Sequence, residues 1–238
     1  MGSQVSHLSD LSNPLTDALV RNPKVAYFYE KAKEIVPADA AHDFAHFERV
    51  ARKTVAIYST EVQARESRGI HSDEVDACLV AALLHDCVPV AKNSPLRKES
   101  SRLASEKARE WLLESEWPTE WIEPICGAIR DHSYSAGHVP STLLGEALQD
   151  ADRLESLGAI GLYRVMATGV SMGCALFDPN DPWAENRALD DRRFSVDHFF
   201  TKLFKLPDSF RTMHAREEAK QRAEYLRGFV KQLKREID

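Results

Sequence analysis

Cysteine is scarce in this sequence, and long apolar runs are absent from it. The chain has 238 residues and four cysteines, at positions 78, 87, 126 and 174, with no Cys-x-x-Cys spacing among them. This excludes a dense disulfide framework and the common structural zinc motifs, and it favours a reducing cytoplasm. No apolar stretch approaches the roughly 20 residues of a membrane helix, and the start MGSQVSHLSD lacks the apolar core of a signal peptide. We therefore expect a cytoplasmic protein without a membrane partner.

The chain also lacks an excess of positive charge. Its formal net charge is -6 at pH 7. Proteins that bind duplex nucleic acid usually carry a broad basic surface, which this balance argues against. We expect no duplex nucleic acid as a partner, although local basic patches are compatible with the total. The sequence leaves open whether the protein is a homodimer.

Period-2 strand patterns and flexible linkers are missing as well. Helical signals run from end to end, so we expect an all-α fold. No segment rich in Gly, Ser or Pro divides the chain, which predicts a single domain over residues 1–238. From about Arg216, Ala219, Ala223, Leu226 and Phe229 recur among charged residues, which predicts a long amphipathic C-terminal helix.

Against this background, four residues have the side chains of a metal site. His46, the adjacent pair His85 and Asp86, and Asp152 each lie in or at the end of an apolar helical segment. Polar groups in such positions face the core and need partners. Imidazole suits transition metals and carboxylate suits harder cations, so this set fits a divalent ion without naming it. Taken alone, any one of these histidines is more simply explained as a satisfied core or capping residue.

The order and surroundings of these residues resemble the HD superfamily of metal-dependent phosphohydrolases. The segments HDFAHFERV, AALLHD, DHSYSAG and QDADRLESLGAIG carry the resemblance, which extends from about residue 42 to about residue 222 and looks like a bacterial subgroup of nucleotide pyrophosphohydrolases. It implies an all-α HD-domain bundle, with its core at about residues 42–160 and a helical extension at about residues 195–238. It also implies His46, His85, Asp86 and Asp152 as ligands of one divalent metal, with Mn favoured over Mg, Co, Fe, Zn or Ni. The implied partner is a small phosphorylated substrate, a nucleotide by preference.

Several basic residues are candidates for binding the substrate phosphate. Arg49 follows His46 by about one helical turn, and Lys92 and Arg97 lie in the segment after Asp86, where loop cations are well placed to bind a ligand. The resemblance adds Lys202 and Lys205. Each has a simpler alternative: Arg49 in an ion pair, the loop cations in solvent, and the two late lysines beside a core stripe.

Two residues are candidates for proton transfer and water activation. His132 has a pKa suited to delivering a proton to a leaving oxygen, although a histidine at a helix end can also interact with exposed carbonyls. Asp86 is the candidate for activating water. Several HD nucleotidases carry an acidic residue shortly after the HD pair, whereas CVPVAKNSPLRKE is basic until Glu99. That departure weakens the transfer of a carboxylate base from the family.

Two other functions stay open on the sequence. Some HD proteins resembling myo-inositol oxygenase use two irons, which would need two further histidine ligands, and His132 is the one good candidate. A non-catalytic regulatory module could retain the site to bind a phosphorylated signal. The intact set of ligands favours the hydrolase.

Overall fold

The computed structural model describes residues 13–35, 43–90, 94–133 and 137–237. The helices within these ranges are α1 (Pro14–Arg21), α2 (Pro23–Ile35), α3 (Phe44–Glu66), α4 (Ser72–Leu84), α5 (Ser100–Glu114), α6 (Thr119–Asp131), α7 (Leu143–Leu154), α8 (Gly158–Met172), α9 (Asp197–Thr201) and α10 (Met213–Ile237). Short 3-10 helices span Pro95–Glu99 and Leu203–Ser209. Extended pairing in the described residues is limited to one isolated bridge between Ala175 and Phe194. The all-α prediction is confirmed.

Helix α4 lies at the centre of the bundle. Its residues from Ala77 to Leu84 are fully buried, and it packs against α2, α3 and α6. A helix that is apolar on all sides is stable only when other helices surround it. Helix α7 packs on both α3 and α6. The core shared by α3, α4, α6 and α7 therefore fixes the positions of the ends of these four helices.

The start of α4 is held by one buried carboxylate. Glu74 accepts two hydrogen bonds from the Arg68 guanidinium, both at 2.8 Å, one from the backbone N–H of His71 at 2.8 Å, and one from the Tyr58 hydroxyl at 3.0 Å. A carboxylate in the first turn of a helix also interacts favourably with the helix dipole. Hydrogen bonding from Arg68, which outweighs the effect of burial, lowers the pKa of Glu74 to about 2.

Two local predictions need adjustment. The segment after Asp86 is not a plain loop, because Pro95–Glu99 forms a 3-10 helix that leads into α5. The C-terminal helix begins at Met213, slightly before the predicted start, and its buried face, which includes Ala219, Ala223 and Leu226, packs on α8 and α7. Within the described ranges, no helix combines the length and the apolar character needed to cross a bilayer.

Candidate metal centre

Four helix ends bring the candidate ligands together. His46 lies in the first turn of α3, and Asp152 lies in the last turn of α7. His85 and His132 directly follow the last residues of α4 and α6. All three histidines are buried, at 1%, 0% and 3% exposure. The core packing therefore places three imidazoles in one small volume, with ring centroids 5.5 Å apart for His46 and His85 and 5.0 Å apart for His85 and His132.

The helix ends also orient two of the rings. His85 Nδ1 lies 2.7 Å from the carbonyl oxygen of Ala82, and His132 Nδ1 lies 2.6 Å from that of Ile129. A carbonyl only accepts, so each Nδ1 carries the proton and donates it. The tautomer of each neutral ring is thereby set, with Nε2 towards the centre. In the neutral ring Nε2 presents a lone pair, and in a protonated His132 the same atom carries the second proton. His132 thus interacts with a carbonyl and faces the candidate ligands at the same time.

His46 is oriented by charged neighbours instead. Its backbone N–H donates to Asp43 Oδ1 at 3.0 Å, which caps α3, and its Nδ1 lies 3.5 Å from Glu155 Oε2 and 3.0 Å from Arg164 Nη1. An arginine only donates, so Nδ1 cannot satisfy both neighbours in one tautomer. A ligand on Nε2 requires the tautomer in which Nδ1–H donates to Glu155, the arrangement common for metal-binding histidines. Arg49 Nε holds this carboxylate at 2.7 Å.

The spacing of the inward atoms fits a shared ion better than direct hydrogen bonds. His46 Nε2 lies 3.5 Å from Asp152 Oδ1, His85 Nε2 lies 3.7 Å from Asp86 Oδ2, and His132 Nε2 lies 3.6 Å from Asp86 Oδ1. Two ligands bound at about 2.1 Å to one ion lie roughly 3.0 to 3.4 Å apart. His85 Nε2 is buried and has no hydrogen-bond partner in the described part of the chain. Such an atom is costly to bury and is explained by a ligand on it.

The charges of the site favour cation binding. Burial, only partly offset by Asp86, lowers the pKa of His85 to about 4, so its imidazole is neutral at neutral pH. Burial opposes ionisation of Asp86 and Asp152, but the neighbouring histidines outweigh it and lower the pKa of both carboxyls. For His132, contact with Asp86 outweighs burial and raises the pKa. The site therefore offers ionised carboxylates and a neutral imidazole, which are the forms that bind a metal.

The centre opens into a cavity of about 380 Å³. Asp86, His132 and Asp152 line it, and so do the basic residues Arg164, Arg192 and Lys202. Burial lowers the pKa of Lys202, and the charge of Asp152 opposes this effect. Cations beside a candidate metal centre are suited to binding the oxygens of a phosphate group.

Comparison with known proteins identifies the family of this site. Residues 43–157, which contain all four predicted ligands, match the HD domain family. Residues 43–157 of this chain form an HD domain. The resemblance to the HD superfamily inferred from the sequence is confirmed, whereas the nucleotide pyrophosphohydrolase subgroup stays a prediction.

Several relatives share the fold over most of their length. The uncharacterized protein YpgQ of Bacillus subtilis is 28% identical over 204 residues, which cover 83% of this chain and 85% of YpgQ. An HD-superfamily hydrolase from Bacillus thuringiensis has a crystal structure with a TM-score of 0.66 and 28% identity, over 91% of this chain and 97% of that chain. The crystal structure of YpgQ in complex with ADP has a TM-score of 0.63 and 24% identity, over 90% of this chain and 100% of that chain.

The HD domain does not bring all of the predicted phosphate-binding residues to the cavity. Lys202 lines the cavity, whereas Lys205 is exposed and is not part of its lining. Arg49 binds Glu155 and lines a different cavity. Lys92 lies outside the described residues, and the side chain of Arg97, which belongs to the 3-10 helix at Pro95–Glu99, is likewise not described.

Sequence reasoning missed two residues of the site. Glu155 follows Asp152 by three positions, so helical geometry places both near one face of the chain, and this spacing was the available signal. Arg164 lies in α8 and reaches His46 from 118 positions away. No local pattern points to Arg164, because the corner between α7 and α8 decides its position.

Proposed function

We propose that this HD domain catalyses metal-dependent hydrolysis of a phosphoester or phosphoanhydride bond in a small phosphorylated metabolite, preferably a nucleotide. The observation that carries the proposal is the unpartnered Nε2 of His85, which lies between two sets of ligand atoms. One set is His46, His85 and Asp152, and the other is His85, Asp86 and His132. Within each set the ligand atoms lie within 4.8 Å of one another.

The two sets are best explained as one metal centre. His85 Nδ1 is committed to the carbonyl of Ala82, so its Nε2 can bind one ion only. Because both sets contain His85, they describe the surroundings of a single ion. This argues against the two-iron oxygenase, which would also need a second additional histidine that the described part of the site does not supply. We assign His46, His85, Asp86 and Asp152 as the ligands.

The cavity supports a phosphorylated substrate. Three cations, Arg164, Arg192 and Lys202, line it together with Asp86, Asp152 and Asp191. Positive side chains are therefore available where a phosphate group would approach the centre. Val165, Met172 and Leu203 also line this cavity and offer an apolar surface for the organic part of a metabolite. The structure of YpgQ in complex with ADP supports a nucleotide, because it shows that a relative with this fold binds one.

Each residue has a defined part in the proposed reaction. A divalent cation held by the four ligands would neutralise charge on the phosphoryl group and make water easier to deprotonate. Arg164 and Lys202 bind the phosphate oxygens and orient the bond to be broken. Asp86, whose pKa is far below its usual range, is a weak base, so it ligates and orients the attacking water, and the proton that this water loses passes to solvent in the open cavity. His132, whose pKa is raised, donates a proton to the leaving oxygen as the phosphorus–oxygen bond breaks.

The test is a panel of nucleoside mono-, di- and triphosphates incubated with Mn, Mg or Co, with each product identified. Release of a nucleoside monophosphate with pyrophosphate and release of a nucleoside with phosphate indicate that different bonds are cleaved. We expect Asp86→Ala to lower the rate by more than about a hundredfold, because it removes a ligand and the orienting carboxylate. The matched control is Asp208→Ala, since Asp208 is exposed and lies outside the cavity lining.

Three outcomes would contradict the proposal. Equal rates for wild type and Asp86→Ala would refute the site. Two irons per chain with oxygen consumption would favour the oxygenase. Nucleotide binding without product under any metal would favour a regulatory module.

A further inference from the structure

A second cavity lies beside the metal centre, and four of the ten residues that line it are basic. Its volume is about 550 Å³, within the usual range of small-molecule sites. Its lining contains four cations, Arg49, Arg52, Lys53 and Arg222, and one carboxylate, Glu155. This concentration of positive charge stands out in a chain whose formal net charge is -6.

The carboxylates near the cavity do not balance these cations. Glu218 is shared: Lys53 Nζ lies 3.0 Å from both of its oxygens, and Arg222 Nη2 lies 2.6 Å from one of them. Glu155 already accepts from Arg49 and faces His46. Asp43 Oδ1 also lies 3.9 Å from Arg49 Nη2, so four cations meet three carboxylates.

Arg52 contributes most clearly to this excess of cations over carboxylates. It lies one turn before Ala56 on α3, is half-buried, and forms no hydrogen bond or ion pair with any residue in the described ranges. A guanidinium always carries its charge and has five N–H donors in a fixed plane. An arginine that lines a cavity without a protein partner is suited to a planar or tetrahedral anion.

The N-terminus of α8 closes the same cavity. Gly158, Ala159 and Ile160 of its first turn line it, no side chain caps this end, and the first turn contains no acidic residue. Gly158 has a φ of +69°, and a Cβ there would come within 3.2 Å of the Arg222 side chain, so the glycine permits the close approach of this cation. The partial positive charge of the helix end adds to the field of the four side chains.

We infer that this cavity, defined by Arg49, Arg52, Lys53, Arg222 and the first turn of α8, is a second anion site for a small phosphorylated molecule. The cations receive the phosphate group. The organic part lies against Ala56, Leu157 and Ile160, which also line the cavity. The cavity and its charge support this second site independently of the proposed hydrolysis.

The second site is connected to the metal centre by one carboxylate. Glu155 Oε2 lies 2.7 Å from Arg49 Nε and 3.5 Å from His46 Nδ1. An anion bound in the cavity competes with Glu155 for Arg49. Occupancy of the cavity is thereby linked to the residue that orients a candidate ligand, which is the physical basis for a regulatory site.

The test is calorimetric titration of the full-length protein with inorganic pyrophosphate in a buffer containing a chelator. The chelator prevents divalent ions from bridging the probe to the metal centre, and no turnover is required. We expect Arg52→Glu to weaken pyrophosphate binding by about tenfold or more, because it replaces an anion partner with a like charge. Arg235→Glu is the matched control, since Arg235 is exposed at the far end of α10 and is not in the cavity lining.

A third variant separates the two cavities. Lys202→Met removes a cation from the cavity of the metal centre and should leave pyrophosphate binding within about twofold of wild type. The inference is overturned if Lys202→Met abolishes binding while Arg52→Glu does not, or if wild type binds no pyrophosphate at millimolar concentration. If Arg52→Glu lowers the thermal midpoint, Arg52→Gln gives the same comparison without a charge reversal.

Discussion

The change Glu155→Gln tests whether the centre binds a metal through an oriented His46. Glu155 is buried, lies 3.5 Å from His46 Nδ1 and accepts from Arg49 Nε at 2.7 Å. Burial opposes ionisation of Glu155, but its contacts with His46 and Arg49 outweigh burial and lower its pKa, so it is an ionised acceptor at neutral pH. Glutamine keeps the shape of the side chain and removes its charge. The carboxylate ligands of the proposed centre stay in place.

The expected loss follows from this geometry. Glutamine offers one uncharged acceptor oxygen, and Arg49 Nε, at 2.7 Å, is a nearer donor to that position than His46 Nδ1, at 3.5 Å. His46 Nδ1 is then left to the Arg164 guanidinium at 3.0 Å, which favours the tautomer with the proton on Nε2. That proton must leave before Nε2 can bind an ion. Loss of such an orienting partner typically lowers metal affinity by about 10- to 100-fold, or roughly 1.4 to 2.7 kcal/mol.

The assay is calorimetric titration of the metal-free protein with Mn, with Glu218→Gln as the matched control. Glu218 also binds two cations, but neither of them contacts a proposed ligand. The control should leave Mn affinity within about twofold. Equal Mn affinity for wild type and Glu155→Gln, with both folded by circular dichroism, would refute the role of Glu155.

Three further perturbations probe the cavity, the helix start and the corner between α7 and α8. Lys202→Met should raise KM for the phosphorylated substrate by about tenfold, whereas Lys205→Met, outside the lining, should leave KM unchanged in steady-state kinetics. Glu74→Gln should cost roughly 1–2 kcal/mol of unfolding free energy at pH 6 after allowance for solvent screening. The folded-state pKa of Glu74 is lowered to about 2, so this loss of unfolding free energy should be complete above pH 5 and should vanish as the pH falls towards 2. Urea unfolding at several pH values measures it, and a loss that does not change with pH would contradict the assignment. Gly161→Ala should lower both the thermal midpoint and the activity, because a Cβ there would lie 2.3 Å from the backbone oxygen of Ser156, at the corner between α7 and α8. A thermal midpoint equal to that of wild type would show that this corner relaxes freely.

The sequence alone determined the helical class and the identities of the main site residues. Helical periodicity has a local cause, since residues three and four apart share a face, so α4 and α10 could be predicted from their apolar residues. His46, His85, Asp86 and Asp152 were recognisable because their surrounding segments resemble a family, which HD domain membership confirms. Their roles as ligands and the extent of a single domain stay predictions.

Tertiary structure alone decided how these residues are oriented and which cations surround them. Arg49 and Lys202 are similar on sequence grounds, yet one lines the second cavity and the other lines that of the metal centre. Arg164 reaches His46 only because the corner after α7 turns α8 back across the site. Contacts over such sequence distances depend on the packing of whole helices, whereas local patterns report only which face of each helix is buried.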